Sequence, residues 1–354
     1  MSTVIRQPAE KQYSDELYAL TGCETATPPE GWRLTPSAVK TFIMGGNAGD
    51  RAITPKYIGD PRMVEICIAT LLTDRGLLLS GPPGTAKSWL SELLAAAISG
   101  TSNLIIQGTM STTEDQIRYG FNYAMLISRG ISERALIPSP IYSAMQTGKI
   151  ARFEELSRCA PEIQDGLISI LSEKSIAVPE LGQQIRATRG FSIIATCNTQ
   201  DMGAHDMSAA LSRRFNNVVV PPPATFEEEV EIVTRRTAEM NQGAELHLMP
   251  AGEQIQRVVT ILRELRCGRT MDGAVHFRKP TSSCSAAEAI SALTGASALA
   301  QSFGASAVTD GHAAAMLPGT IVRNGGDGMA LEEYQQTVLR PRGKEWDEYT
   351  DIKI

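Results

Sequence analysis

Between residues 61 and 220, short apolar segments alternate with longer segments whose apolar residues recur at helical spacing. The clearest unit is GLLLSGPPGTAKSWLSELLAAAI, which predicts a strand, a Gly-Pro turn and a helix. Further strands are predicted by NLIIQG, KIARFEEL, GFSIIATCNT and NNVVVPPP, helices by MVEICIATLL and APEIQDGLISILSEK, and a β-hairpin by residues 175–188. The pattern therefore predicts an α/β fold built on a parallel sheet with helices on both faces.

The pattern changes after Pro223, where only helical periodicity continues and no convincing strand follows. Residues 1–50 are weakly periodic, and their TATPPEGW and MGGNAGD stretches are typical of loops. The charged end, RPRGKEWDEYTDIKI, is typical of a short tail. We therefore expect an N-terminal arm over 1–50, an α/β core over 51–222, an α-helical lid over 223–325, and a C-terminal helix and tail over 326–354.

Composition narrows the class of protein without naming it. The chain has 354 residues, 42% hydrophobic and 20% charged, as in an ordinary globular protein. Its net charge of −6 gives no overall attraction for nucleic acid, although a local basic patch stays possible. The six cysteines lack C-x2-C spacing, and neither a membrane-spanning stretch nor a signal peptide is recognisable, so we expect a cytoplasmic protein with reduced thiols and no membrane partner.

The stretch GPPGTAKS follows an apolar strand and opens a helix, which is the context of a phosphate-binding loop. Lys87 is expected to reach the β- and γ-phosphates, and Ser88 to hold Mg²⁺ through its hydroxyl. Ala86 replaces the second glycine of the usual pattern, at little cost if its φ is negative. The alternative is a Gly-Pro turn before an ordinary helix. The predicted nucleotide-binding residues are Gly81, Pro82, Pro83, Gly84, Thr85, Ala86, Lys87, Ser88 and Trp89.

Two adjacent glutamates end the predicted strand IARFEE. A phosphate loop needs a metal-side carboxylate on a neighbouring strand and an acid that orients the attacking water. We assign Glu154 to the metal together with Ser88, and Glu155 to the water as the catalytic base. Aspartate is usual at the first position, but the longer glutamate can act through a metal-bound water. The alternative is a solvated Glu-Glu pair at a helix start.

Four blocks, in this order, resemble motifs of the AAA+ ATPases, and most closely of the MoxR branch: GPPGTAKS, FEELSRCAPEIQDGLISILSEK, SIIATCNTQD and MSAALSRRF. The resemblance covers about residues 55–300. It implies an AAA+ P-loop core followed by a small α-helical lid, with ATP and Mg²⁺ as cofactors.

The resemblance also suggests further catalytic residues. Asn198 matches the sensor position at a strand end, where its amide would hold the attacking water; a turn-forming asparagine is the alternative. Arg214, next to Phe215, matches the arginine that reaches the nucleotide of an adjacent subunit. Arg213 would assist it or be a surface residue. Arg158 would either cross the subunit boundary or be solvated.

The resemblance is weaker in the lid and in two inserted segments. The lid of this family usually supplies a basic residue to the γ-phosphate, and none stands near Cys284. Arg278 or Lys279 could substitute. Residues 118–140 and 175–188 look like the insertions that line the ring in this branch, although ordinary surface loops explain them nearly as well.

The resemblance implies an ATP-hydrolysing remodelling enzyme of the chaperone type. It would work as a ring, a hexamer by analogy, on a protein client such as a von Willebrand factor A domain protein. A nucleotide-gated assembly scaffold with little hydrolysis is the alternative, which Glu154, Ala86 and the missing lid arginine favour. A nucleic-acid motor fits the acidic balance less well.

Overall fold

The structure is a computed structural model and describes residues 6–198 and 207–350. The helices in these ranges are α1 (Ala9–Gln12), α2 (Ser14–Cys23), α3 (Pro36–Met44), α4 (Pro61–Leu71), α5 (Lys87–Ser99), α6 (Glu114–Ile117), α7 (Tyr123–Arg129), α8 (Pro140–Thr147), α9 (Pro161–Glu173), α10 (Ala209–Ser212), α11 (Phe226–Gly243), α12 (Gly252–Cys267), α13 (Ala286–Ser302), α14 (Asp310–Ile321), α15 (Gly325–Tyr334) and α16 (Asp347–Thr350). The strands are β1 (Gly46–Ala48), β2 (Arg51–Ile53), β3 (Gly76–Gly81), β4 (Ile105–Gln107), β5 (Tyr119–Phe121), β6 (Leu136–Pro138), β7 (Ile150–Glu154), β8 (Ser175–Val178), β9 (Gln183–Arg186), β10 (Ser192–Asn198) and β11 (Phe215–Val219).

The central sheet has five parallel strands in the order β11-β3-β10-β7-β4. Successive side chains of a strand point to opposite faces of the sheet, and both faces are covered by helices. Leu77 and Leu79 pack into the core that contains α4 and α5, whereas Leu78 packs with α8 and α9. The predicted α/β fold with a parallel sheet and helices on both faces is confirmed.

The strand register brings several chain segments to one edge of this sheet. β10 lies between β3 and β7, with Asn198 opposite Gly81 and Ala195 opposite Phe153. Because the strands are parallel, their carboxyl ends meet at the same edge, where ligands bind in open α/β sheets. The loop after β3, the acidic pair after β7 and the end of β10 therefore lie together.

Among the described residues the chain forms two compact units. One contains Gln7–Gly81 and Ala86–Val220, and the other contains Pro82–Thr85 and the chain from Pro221 onward. We call them the sheet unit and the helical unit. The helical unit packs α11, α12, α13 and α14 around an apolar core of its own.

The N-terminal segment differs from the predicted arm, because residues 7–50 belong to the sheet unit. Leu17, Phe42 and Ile43 are fully buried in its core. Lys56 is buried as well, and its Nζ lies 2.6 Å from Oε2 of Glu16 on α2. The Pro-rich stretch connects α2 to α3, whereas the Gly-rich stretch forms β1 and the turn to its antiparallel partner β2. Residues 1–5 of the predicted arm lie outside the described residues.

The C-terminal segment also differs from the predicted tail. Glu264, buried in the helical unit, accepts hydrogen bonds from Tyr334 Oη and Arg342 Nη2, both at 2.6 Å. Tyr349 is fully buried and donates to Asp310 at 2.8 Å. Arg342, one of the charges that suggested a solvated tail, therefore pairs with α12, and the buried Tyr349 bonds to α14. Residues 351–354 lie outside the described residues.

Besides the central sheet, the described residues form three two-stranded antiparallel sheets, β1–β2, β5–β6 and β8–β9. β8 and β9 form the antiparallel hairpin predicted for 175–188. Residues 118–140 contain a second antiparallel pair, β5 and β6, with α7 between the strands, an arrangement that the pattern did not predict. Tyr123 and Ile127 on α7 are exposed.

Candidate nucleotide-binding site

The loop between β3 and α5 curls through residues with positive φ. Gly81 has φ of 148°, and a Cβ there would lie 2.4 Å from the carbonyl oxygen of Val220. Gly84 has φ of 74°. Ala86 has φ of 63° in the left-handed region, so the expectation that alanine is inexpensive there, which required a negative φ, is wrong. A curled backbone at a helix start is the geometry that presents N–H groups to phosphate.

Lys87 begins α5 directly after the curl. Its side chain is buried, and Nζ donates to the carbonyl oxygen of Gly81 at 3.0 Å. Within the loop, Thr85 Oγ1 donates to the carbonyl oxygen of Pro82 at 3.0 Å. The lysine is thus folded back over the loop, where its charge and the positive end of the helix dipole favour the same anion.

Trp89 follows Ser88, but its side chain points into the sheet unit. Its indole Nε1–H donates to the carbonyl oxygen of Lys56 at 3.0 Å. Its ring meets that of Tyr13 edge to face, with centroids 6.3 Å apart. These contacts tie α5 to the N-terminal segment. The role of Trp89 in nucleotide binding stays a prediction.

Glu154 is 3% exposed and accepts four hydrogen bonds. Ser88 Oγ donates to Oε2 at 2.6 Å, as does Thr196 Oγ1 at 2.7 Å. Ser91 Oγ donates to Oε1 at 2.6 Å, and Arg152 Nη2 at 2.8 Å. Burial by itself raises the pKa of Glu154, but the arginine charge and the hydroxyl donors outweigh burial and hold that pKa below its ordinary value. The interpretation as a solvated carboxylate is therefore wrong for Glu154.

Glu155 stands beside it in a different conformation. Its φ of 55° lies in the left-handed region and ends the strand abruptly. Its backbone N–H donates to Thr196 Oγ1 at 3.0 Å, and its Oε2 accepts from Arg158 Nη1 at 3.0 Å. The side chain is 34% exposed, so a water molecule can reach the carboxylate. Adjacent glutamates thus have separate environments, one buried and one open.

Asn198 is half-buried at the last position of β10, opposite Gly81. The preceding Cys197 is half-buried too; burial raises the pKa of its thiol, and the nearby charge of Lys87 opposes the shift. The structure therefore brings Asn198 to the edge that carries the phosphate loop and the acidic pair.

The two candidate finger residues lie elsewhere in the sheet unit. Arg214 donates from Nε to Ser172 Oγ at 2.9 Å and from Nη1 to the carbonyl oxygen of Ala210 at 2.7 Å, so its partners belong to α9 and α10. Arg213 is exposed. The finger role of Arg214 and Arg213 stays a prediction.

In the helical unit, the two candidate lid residues Arg278 and Lys279 are both exposed. Arg266 is the arginine nearest to the lid position, because its Nη1 donates to the carbonyl oxygen of Cys284 at 3.1 Å. It is already paired with the buried Glu229, at 2.7 Å from Nη2. This pair holds α12 against α11.

Sequence reasoning missed three residues of the site: Arg152, Ser91 and Thr196. Arg152 and Thr196 each precede a predicted site residue by two positions, so the strand period places them on the same face. Ser91 follows Ser88 by three residues, which is one helical turn. All three could have been found by looking for polar residues at strand or helix spacing from the predicted site residues, as was done for apolar residues.

The donor set fits Mg²⁺ with a nucleotide. Ser88 and Glu154 offer oxygen atoms, which magnesium prefers, and Mg²⁺ usually takes its other ligands from phosphates and water. Within the described residues, no group of three or more His, Cys, Asp and Glu side chains could form a metal cage by itself. No helix in the described ranges combines the length and apolar character needed to cross a membrane.

Solved structures show the same fold. The structure of NtrX from Brucella abortus in complex with ADP superposes with a TM-score of 0.51 at 14% identity, covering 76% of this chain and 56% of that one. A second NtrX structure gives 0.50, covering 82% and 62%. The five-stranded parallel sheet, its flanking helices and the C-terminal helices match the AAA+ P-loop fold.

Sequence comparison identifies a matching family model and related proteins. Residues 76–215 match the family model described as the AAA domain of the dynein-related subfamily. An uncharacterized protein of Staphylococcus haemolyticus is 29% identical over 143 residues, 40% of this chain and 54% of that protein. The uncharacterized Escherichia coli protein YehL is 46% identical over 264 residues, 74% of this chain and 72% of YehL. The chain therefore belongs to the same family as YehL and carries an AAA domain of the dynein-related subfamily.

Proposed function

We propose that this chain binds ATP with Mg²⁺ and hydrolyses it to ADP and phosphate. The observation that carries the proposal is the 2.6 Å contact between Ser88 Oγ and Glu154 Oε2, directly beside the curled loop and Lys87. This contact places a hydroxyl oxygen and a carboxylate oxygen at one point, as two protein ligands of a shared Mg²⁺ require. The match to the AAA domain and the ADP complex of NtrX support the choice of nucleotide.

Each residue has a separate task in this proposal. Lys87 and the loop N–H groups would hold the phosphates, and Ser88 and Glu154 would hold Mg²⁺. Bound there, Mg²⁺ would neutralise charge on the phosphate oxygens. Glu155 would orient the attacking water and accept its proton, while the amide of Asn198 would fix the water's position.

The test separates binding from hydrolysis. Lys87→Ala should abolish binding of a fluorescent ATP analogue, whereas Lys40→Ala, which removes a surface lysine paired with Glu65, should not. Glu155→Gln should bind ATP with wild-type affinity and release phosphate at least a hundredfold more slowly. Glu162→Gln changes an exposed glutamate of α9 and serves as its control. Wild-type turnover in Glu155→Gln would show that the base is another residue.

We further propose that the chain works as a ring in which Arg214 completes the nucleotide site of a neighbour. Its two hydrogen bonds to α9 and α10 hold the guanidinium at the molecular surface. Rings mixed from Lys87→Ala and Arg214→Ala subunits should regain activity that neither variant has alone, because some interfaces then contain both intact parts. Arg213→Ala in the same mixture tests the adjacent arginine. Mixtures without activity would exclude a shared site.

The MoxR-like role, a remodelling ATPase of the chaperone type with a protein client, remains a proposal. The four sequence blocks support it, and a von Willebrand factor A domain protein is the client class that the resemblance suggests. The Glu155→Gln variant should retain the client with ATP but not with ADP. Lys87→Ala should not retain it with either nucleotide. Equal capture in both nucleotides would argue against ATP-driven remodelling.

One contact favours the alternative of a nucleotide-gated scaffold with little hydrolysis. Glu155 Oε2 is engaged by Arg158 at 3.0 Å, which competes with a water for the carboxylate. A scaffold would assemble with ATP but release no phosphate above background. Arg158→Ala should then raise turnover; if Arg158 instead serves catalysis, the same change should lower it.

A further inference from the structure

Arg152 is a charged residue in the middle of the buried strand β7, and it is only 5% exposed. Its guanidinium is fully engaged. Nε donates to Ser91 Oγ at 2.9 Å, and Nη1 donates to the carbonyl oxygen of Ser102 at 3.2 Å. Nη2 donates to the carbonyl oxygen of Ser88 at 3.0 Å and to Oε1 of Glu154 at 2.8 Å. The arginine therefore contacts both of the residues assigned to Mg²⁺.

The contacts divide the two oxygens of Glu154 between different partners. Oε1 accepts hydrogen bonds from Arg152 and Ser91, both of which are buried. Oε2 accepts from the hydroxyls of Ser88 and Thr196. The arginine thus fixes one oxygen and leaves the other facing the serine that would share the metal.

Arg152 is also the cationic partner of a buried carboxylate. A buried carboxylate without a partner is strongly disfavoured, and removing one member of a buried pair is more harmful than replacing both. A second buried carboxylate, Glu92, has its Oε2 4.0 Å from Arg152 Nη1. Arg152 therefore lies between two buried carboxylates and is hydrogen-bonded to one of them, Glu154.

The same guanidinium also fixes the backbone of α5. Its bond to the carbonyl oxygen of Ser88 ties the first turn of α5 to strand β7. Period-two alternation places Arg152 and Glu154 on the face of β7 that looks at α5. One side chain thus sets the distance between the serine hydroxyl and the carboxylate.

We propose that Arg152 is a positioning residue for the metal side of the nucleotide site, acting through Glu154. It holds Oε1 of the glutamate and the first turn of α5, so that Oε2 and the Ser88 hydroxyl face the same point. A glutamate one methylene longer than the usual aspartate can then serve the metal without losing its orientation. The inference rests on the proposed binding of ATP with Mg²⁺.

The test measures nucleotide affinity with and without Mg²⁺, using a fluorescent ATP analogue and excess chelator for the metal-free arm. The informative quantity is the ratio of the two affinities. In Arg152→Met this ratio should fall at least tenfold, while affinity without Mg²⁺ stays within about threefold of the wild type. Arg62→Met, which removes an exposed arginine paired with Glu65, should leave both affinities unchanged.

A double-mutant cycle shows whether the effect passes through the carboxylate. Glu154→Gln removes the charge and keeps the shape. In that background Arg152→Met should change the Mg²⁺ ratio by less than twofold, because the residue being positioned is no longer a carboxylate. The double variant has no carboxylate at position 154 that would lack its arginine partner, so it should fold more readily than Arg152→Met alone.

Two milder variants keep the proposal testable if Arg152→Met fails to fold. Arg152→Lys retains the charge but cannot reach Ser91, Ser88 and Ser102 together. Ser91→Ala removes a donor to Oε1 without changing any charge. Each should lower the Mg²⁺ ratio, by about threefold or more.

The outcomes separate this inference from the proposed function. If the wild type binds no ATP, the proposed function fails. If the wild type binds ATP with a strong Mg²⁺ dependence and the folded Arg152 and Ser91 variants keep that dependence, the positioning role is overturned and the function stands. An equal fall of the ratio in the wild-type and Glu154→Gln backgrounds would also overturn it, since Arg152 would then act elsewhere.

Discussion

Replacing Ala86 by glycine should stabilise the sheet unit, although alanine is the better residue in most folded contexts. Ala86 has φ of 63° and ψ of 24° at the N-terminal end of α5. An L-residue in this left-handed conformation costs about 1 to 2 kcal/mol. Glycine removes that cost but makes the unfolded chain more flexible, which offsets about 0.5 to 1 kcal/mol. The net expectation is a gain of about 0.5 to 1 kcal/mol in the free energy of unfolding.

Urea unfolding without nucleotide measures this difference. Trp32 and Trp89 lie in the sheet unit and Trp346 in the helical unit. A Trp346→Phe background therefore lets fluorescence report the sheet unit alone. Circular dichroism of the same samples checks that the helices remain formed.

A matched control predicts the opposite sign. Ala69 is exposed within α4, in the same unit as Ala86. Ala69→Gly should destabilise by about 1 kcal/mol, because glycine weakens an ordinary helix. If Ala86→Gly also lowers the urea midpoint, Ala86 does not occupy the left-handed region in the folded protein, and the reasoning on the loop's strain is refuted.

Three further predictions test the parts of the fold outside the loop. Tyr349→Phe removes the hydroxyl that donates to Asp310, and it should lower the free energy of unfolding of the helical unit by about 1 kcal/mol in urea titrations; an unchanged value would mean that this segment is not packed. Burial raises the pKa of Asp327, but hydrogen bonds from backbone N–H groups outweigh burial and hold that pKa below its ordinary value of 3.8. The ionised carboxylate therefore stabilises the folded protein above about pH 4, and this stabilisation is lost as the pH falls through the folded-state pKa. Asp327→Asn should cost about 2 kcal/mol at pH 7 and flatten the acid side of the stability profile, measured by urea unfolding from pH 7 to 2. At pH 8, alkylation followed by mass spectrometry should label exposed Cys267 quickly and Cys284 slowly, because Cys284 is buried and its pKa is raised to about 11; equal rates would contradict this burial.

The central sheet could be predicted from the sequence because its strands carry their own signal. β3 is buried at every position, and its three consecutive leucines, 77 to 79, are typical of an inner parallel strand. In the helical unit, α11 and α12 are similarly clear, with apolar residues at helical spacing. Local pattern and final environment agree in these elements, so no knowledge of distant contacts was needed.

The N-terminal segment could not be predicted in the same way, because its structure depends on distant partners. α1 has four residues, too few to be stable alone, and the N–H of Ala9 donates to Glu92 on α5. Lys56 would be expected at the surface, yet its charge is matched by Glu16 and by the rings of Tyr13 and Phe42. Burial of such a lysine follows from tertiary pairing that no local window contains.

The C-terminal segment was misjudged for a related reason. Its charges resemble those of a solvated tail, but Arg342 pairs with Glu264, a residue 78 positions earlier. α14 was not predicted because its sequence, DGHAAAMLPGTI, contains Pro318 and two glycines. Small residues pack closely against α13, so the helix forms despite its low intrinsic propensity.

The candidate site shows how far single positions can mislead. From the sequence, Glu154 in place of aspartate is a departure that favours a weak or inactive site. In the structure the added length coincides with a buried arginine that holds Oε1, and Oε2 still lies 2.6 Å from Ser88 Oγ. The substitution therefore loses force as an argument for a scaffold. The contact that now distinguishes scaffold from enzyme is the pair formed by Glu155 and Arg158, because it occupies the carboxylate that the water needs.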